Sequence, residues 1–123
     1  MKLIIDTNFF IDLIRFKISL ADIDLIGPEK PTLYTLNSVI RELNKIANSK
    51  NRDSKYAKVA LKFIDLHQIK VLNSFETNTD KAIFNSADED TIVATNDAEL
   101  KRKLKKKGVT IIYLRSKKQL SMS

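Results

Sequence analysis

The sequence has no cysteine and only one histidine, His67, among its 123 residues. The first absence excludes disulfides, thiolate metal sites and cysteine nucleophiles, and the second excludes metal sites built from several histidines. Any bound metal would therefore depend on oxygen ligands, which favours Mg²⁺ or Mn²⁺ over zinc.

Long apolar runs are also missing from the sequence. No run reaches the length of a membrane span, and the one that follows Met1 is too short for the core of a signal peptide. We therefore expect a cytoplasmic protein without membrane contact. The length suits a single domain with its own core, predicted to cover residues 1–116 and to be followed by a polar tail, residues 117–123.

Positive charge is in excess, with 22 basic and 15 acidic residues and a formal net charge of +7. This balance is compatible with a polyanionic partner and also with an ordinary charged surface. The basic runs 101–103 and 105–107 allow the same two interpretations. They can form a solvated helix face that suits the C-terminal dipole, or they can contact phosphates.

Short β-rich runs alternate with segments of helical periodicity along the chain. Strands are predicted near residues 3–5, 32–36, 69–72, 91–95 and 109–114, with helices between them. This alternation indicates an α/β fold with a parallel sheet of four or five strands and helices on both faces.

Four acidic residues each follow a different predicted strand, namely Asp6, Glu42, Asp80 and Asp97. The carboxyl ends of parallel strands meet at one edge, where open α/β sheets bind ligands. Helix capping is an alternative role for each acid except Glu42, which lies too far into its helix. Four carboxylates at one edge would repel one another and have raised pKa values unless a hard divalent cation compensates. Such a pocket on a basic chain suits metal-assisted cleavage of a nucleic-acid backbone.

Four motifs spread over nearly the whole chain resemble those of PIN domains, in the order of that family. They are Ile4-Ile5-Asp6-Thr7-Asn8, Ser38-Val39-Ile40-Arg41-Glu42-Leu43, Thr79-Asp80-Lys81-Ala82-Ile83 and Ile92-Val93-Ala94-Thr95-Asn96-Asp97. The resemblance implies a doubly wound, three-layer α/β/α fold and a Mg²⁺- or Mn²⁺-dependent endoribonuclease. It also implies that the four acids are the catalytic metal ligands, supported by Asn8 and Thr95.

Within the family, the chain looks most like the archaeal branch of VapC-type toxins, which is related to nucleases that process small-subunit ribosomal RNA. The resemblance therefore implies RNA as substrate, a homodimer, and an antitoxin or a ribosome-assembly partner. Candidate RNA contacts are Lys101, Lys105, Lys106 and Arg41. Two alternatives stay open, namely a PIN-fold module that binds RNA with little catalysis and a nuclease directed at DNA.

Overall fold

The structure of the protein is a computed structural model that describes residues 1–117 and 119–123. The strands are β1 (Lys2–Ile5), β2 (Thr32–Leu36), β3 (Lys70–Leu72), β4 (Thr91–Ala94), β5 (Thr110–Ser116) and β6 (Gln119–Met122). The helices are α1 (Thr7–Arg15), α2 (Leu20–Leu25), α3 (Asn37–Ala47), α4 (Ser54–Leu66), α5 (Thr79–Ser86) and α6 (Ala98–Lys107). None of the helices within these described ranges is long and apolar enough to cross a bilayer.

All six strands form one sheet in the order β3-β2-β1-β4-β5-β6. The first five strands are parallel, which confirms the predicted α/β class, whereas β6 runs antiparallel to β5. The prediction of four or five strands missed β6. The segment predicted as a polar tail, residues 117–123, contains this strand, and its residue Lys118 lies outside the described part of the chain. In β6 the half-buried Leu120 and Met122 alternate with polar residues and pack against the core, and this two-residue period is typical of an edge strand.

The central strands are covered on both faces, so their sequences are almost continuously apolar. Residues Leu3–Ile5 of β1 and all of β4 are buried. Two groups of helices cover the sheet: α1, α3 and α4 contact one another, and α5 contacts α6. Because crossovers between parallel strands are right-handed, the two groups lie on opposite faces. The predicted three-layer arrangement is therefore confirmed.

Candidate active site

The chain changes direction at the centre of the sheet. From β1 it proceeds outward to β2 and β3, and from β4 it proceeds the other way to β5. The neighbouring strands β1 and β4 therefore form the topological switch point, where ligands bind at the carboxyl edge in folds of this type. Asp6 directly follows β1, and Asp97 lies three residues after the end of β4.

A cleft of about 390 Å³ opens at this edge. Its lining residues come from the ends of β1 and β4 and from helices α1, α3 and α5, and they are Asp6, Thr7, Asn8, Glu42, Lys45, Ile46, Asp80 and Asp97. The structure thus brings together the four acids that were singled out in the sequence, and it adds Asn8 from the predicted supporting pair. Their part in catalysis stays a prediction.

Asp6 is the buried member of the acidic set, with 4% of its surface exposed. Its Oδ1 accepts a hydrogen bond from the Thr7 backbone N–H at 2.8 Å, and its Oδ2 accepts one from Thr95 Oγ1 at 2.8 Å. Burial raises the pKa of Asp6 to about 6, against the lowering effect of these hydrogen bonds and with small further increases from the charges of Asp80 and Glu42. The carboxyl group is therefore fixed in position, and its burial favours the protonated form.

Glu42 lies in the second turn of α3, and its side chain is exposed to the cleft. The Thr7 hydroxyl donates a hydrogen bond to Glu42 Oε1 at 2.5 Å. Thr7 is itself buried and is the first residue of α1. Its backbone N–H bonds to Asp6 and its hydroxyl to Glu42, so it connects these two acids. We did not predict this role for Thr7, although its place directly after Asp6 was a usable signal.

Thr95 joins two of the acids at the end of β4. Its buried hydroxyl donates to Asp6 and accepts a hydrogen bond from the Asp97 backbone N–H at 3.2 Å. Asp97 in turn caps α6, because its Oδ1 accepts from the Leu100 backbone N–H at 2.8 Å. Thr95 does not itself line the cleft but bonds to two acids that do, and its supporting role in catalysis stays a prediction.

Asn96, next to the α6 cap Asp97, uses its side chain for contacts outside α6. Its Nδ2 donates to Asp12 Oδ2, and its Oδ1 accepts from the Leu114 backbone N–H, both at 2.8 Å. This side chain therefore ties the β4–α6 connection to α1 and β5. No local sequence pattern predicts these contacts, since they join segments far apart in the chain.

Asp80 does not cap α5. The cap is Asn78, whose Oδ1 accepts from the Lys81 backbone N–H at 3.0 Å. Helical spacing alone groups Asp80 with Ile83 and Phe84, which pack in or against the core, but Asp80 is exposed at the cleft, because it lies in the first turn of α5 at the edge of the sheet. Partial burial of its carboxyl group, followed by the charges of Asp97 and Glu42, raises its pKa.

The donor set of the cleft consists of carboxylate oxygens, with threonine and asparagine nearby, and these are hard ligands of the kind that Mg²⁺ and Mn²⁺ prefer. Within residues 1–117 and 119–123, however, no three acidic side chains are close enough together to form a ready-made metal site. A cation bound here would therefore be held by side chains that change rotamer. The exposed Glu42 and Asp80 have the freedom to do so, whereas Asp6 is fixed.

The four candidate RNA contacts do not form one surface. Lys106 lines a groove between α5 and α6, whereas the Nζ of Lys101 lies 4.4 Å from the ring centre of Tyr113. Lys105 is exposed elsewhere on α6, and Arg41 is exposed on α3.

Comparison with known proteins agrees with this fold. A family model described as a PIN like domain matches residues 3–117. The chain is 31% identical over 121 residues to Ribonuclease VapC4 of Methanocaldococcus jannaschii, a match that covers 95% of this chain and 92% of that protein. The solved structure of the PIN domain endonuclease Utp24 superposes with a TM-score of 0.83 at 24% identity, covering 99% of this chain and 90% of that one. The sheet order, the cleft at its switch point and the extent of these matches show that the chain belongs to the PIN-like domain family.

Proposed function

We propose that this protein is a metal-dependent endoribonuclease that hydrolyses phosphodiester bonds at the cleft. The observation that carries the proposal is the convergence of Asp6, Glu42, Asp80 and Asp97, from four separate segments, on one cleft at the switch point. An acidic cleft on a chain of net charge +7 has little use in passive binding of a polyanion, because it repels the phosphates. The ribonuclease activity in the name of the VapC4 relative supports RNA as the substrate.

The chain's own residues would hold the charged groups in place for this reaction. Asp6 is fixed by its hydrogen bonds from Thr7 and Thr95, and Asp97 is held by its cap on α6. Glu42 accepts a single hydrogen bond from Thr7 and can change rotamer around a cation. A divalent cation held by these carboxylates would lower the pKa of a bound water and stabilise negative charge on the phosphate. Because Asp6 and Asp97 are already held, the rearrangement that a cation requires is confined to the side chains of Glu42 and Asp80.

The partners remain predictions within the same proposal. The relatives carry the names of a VapC-type ribonuclease and of an endonuclease, Utp24. A toxin-type enzyme would bind an antitoxin, and an rRNA-processing enzyme would bind a ribosome-assembly partner. A homodimer is predicted in both cases.

Cleavage of a labelled single-stranded RNA with Mn²⁺, with Mg²⁺ or with EDTA tests the proposal. We expect cleavage with either metal and none with the chelator. Asp6→Asn should lower the rate at least about 100-fold, because metal stabilisation of the transition state amounts to several kcal/mol. The matched control is Asp65→Asn, which removes an exposed carboxylate on α4 outside the cleft and should leave the rate unchanged.

Two results would contradict the proposal. If Asp6→Asn cleaves RNA at the wild-type rate, the cleft is not the site of the reaction. Wild-type protein that binds RNA but cleaves it with neither metal would favour the alternative of an RNA-binding module. A DNA strand of the same sequence tests the third possibility, since a nuclease directed at DNA would cut it at least as fast.

A further inference from the structure

A second depression, the α5–α6 groove, lies beside the acidic cleft. It has a volume of about 810 Å³ and is lined by Asn78, Asp80, Lys81, Phe84, Asn85, Glu99, Leu100, Arg102, Lys103, Lys106 and Lys107. Asp80 lines both the groove and the cleft, so the two depressions adjoin at this residue. The groove is therefore a route by which an extended ligand can reach the four acids.

The charges of the two depressions are opposite. The groove has five basic and two acidic lining residues, whereas the cleft has four acidic residues and one lysine. A phosphate at the cleft is repelled by the acids until a cation is bound, but a phosphate in the groove meets positive charge on both walls. The electrostatic attraction for a polyanion is thus displaced from the acids to the neighbouring groove.

Helical spacing separates the lysines of α6 into two sets. Residues 102 and 103 each lie three or four positions from both 99 and 106, so these four share the groove face, whereas residues 101 and 105 lie on the other side of the helix. Lys107 bridges to α5, where it donates to the Phe84 backbone carbonyl and lies over the Phe84 ring. Lys101 and Lys105 do not line the groove.

The basic residues of the groove differ in how they are engaged. Lys103 forms an ion pair with Glu99 at 3.4 Å. Within the described residues, Lys81, Arg102 and Lys106 form no ion pair and are the cations available to a ligand. They come from both walls, with Lys81 on α5 and the other two on α6.

We propose that the α5–α6 groove binds the backbone of single-stranded RNA next to the phosphodiester that is cut, with Arg102, Lys106 and Lys81 contacting phosphates. This inference rests on the function proposed above and adds the path of the substrate. A single strand suits the groove because the half-buried Phe84 and the side chain of Asn85 also line it, and they can contact bases only when these are unpaired. The groove holds the strand without metal, and the cleft acts on it when metal is present.

Two double variants of α6 test the proposal with the same change in net charge. Arg102→Gln with Lys106→Gln alters the groove, and Lys101→Gln with Lys105→Gln alters the opposite side of the same helix. Binding of a fluorescent single-stranded RNA is measured by anisotropy in EDTA across a salt series, so that no cleavage occurs. The groove variant should bind more weakly and flatten the plot of log affinity against log salt by about 1.4, since each phosphate contact to a single strand contributes about 0.7. The control should keep the wild-type slope.

Additional measurements make each outcome decisive. The charge-conserving pair Arg102→Lys with Lys106→Arg should restore the slope, and duplex RNA should compete poorly. In a cleavage assay the groove variant should raise KM and leave kcat close to wild type. Equal slopes for the two glutamine variants, or equal binding of duplex RNA, would overturn the groove proposal. If wild-type protein cleaves RNA but the two glutamine variants have equal salt slopes, only the groove proposal is wrong. If wild-type protein does not cleave RNA but the two slopes differ, the groove still binds RNA and the nuclease proposal is wrong.

Discussion

The acidic cleft and the α5–α6 groove share Asp80 but are built in different ways. The cleft is anchored in the core, because Asp6, Thr7 and Thr95 are buried and connected by two hydrogen bonds of 2.8 Å. The basic side chains of the groove are exposed on two helices, and Arg102 and Lys106 have no ion pair within the described residues. Chemistry at a phosphate needs fixed geometry, whereas attraction of a polyanion needs only charge at the right place.

The residue shared by both regions gives the largest expected effect. Asp80→Asn should lower metal-dependent cleavage at least about 100-fold, because it removes a carboxylate from the cleft. The same change should tighten metal-free RNA binding by about twofold, because it removes a repelling charge from the groove. Cleavage rates and anisotropy in EDTA measure the two effects. A change of both in the same direction would mean that the two regions do not have separate tasks.

The response to pH is the second property in which the cleft and the groove should differ. In the metal-free protein, the stability associated with Asp6 is fully present below its unfolded pKa of 3.8 and is lost as pH rises through about 6, because the folded state binds the proton more tightly. The loss is at most about 3 kcal/mol, and Asp6→Asn should not have it. Denaturant unfolding of wild type and Asp6→Asn at several pH values between 4 and 7 measures this loss of stability.

Metal affinity should change in the opposite sense over the same range. It should rise as Asp6 ionises, because a carboxylate binds metal only when it is deprotonated. The salt slope of RNA binding depends on the phosphate contacts of lysine and arginine, so it should change less over this range than the metal affinity. A wild-type stability profile identical to that of Asp6→Asn would contradict the role of burial at Asp6.

A smaller effect is expected from the hydroxyl that positions the acids. Thr95→Val removes the donor to Asp6 Oδ2 and the acceptor of the Asp97 N–H. Loss of such a partner should reduce cleavage about 10- to 100-fold and cost about 1–3 kcal/mol of stability, with groove binding unchanged.

The matched control is Thr91→Val at the amino end of the same strand. Thr91 is also buried, and its hydroxyl bonds to Asp88, away from the cleft. This variant should lose stability but keep the wild-type cleavage rate. Equal loss of activity in both variants would mean that the effect is one of folding alone.

The sequence predicted the fold well because buried strands and amphipathic helices alternate clearly. It also predicted the shared edge of the four acids, since each follows a strand and parallel strands end together. The contacts of Thr7 and Asn96 were missed, because they join residues between 18 and 84 positions apart. The predicted RNA contacts combined lysines from two sides of α6. The spacing of Leu100 and Leu104 indicates which side of the helix is buried. It does not indicate that α5 lies beside Lys106 and not beside Lys101 and Lys105, which depends on the fold.

The antiparallel strand β6 has a consequence for the behaviour of the protein in solution. Beyond the register of β6 itself, Ser123 and Ile111 exchange backbone hydrogen bonds of 2.8 and 2.9 Å, so the long strand β5 is paired along its length. An unpaired strand of that length would be a template for pairing between molecules, whereas the opposite edge, β3, has only three residues. Removal of residues 117–123 would therefore convert a protected sheet into one with an open, partly apolar edge, and the expected result is aggregation at high concentration.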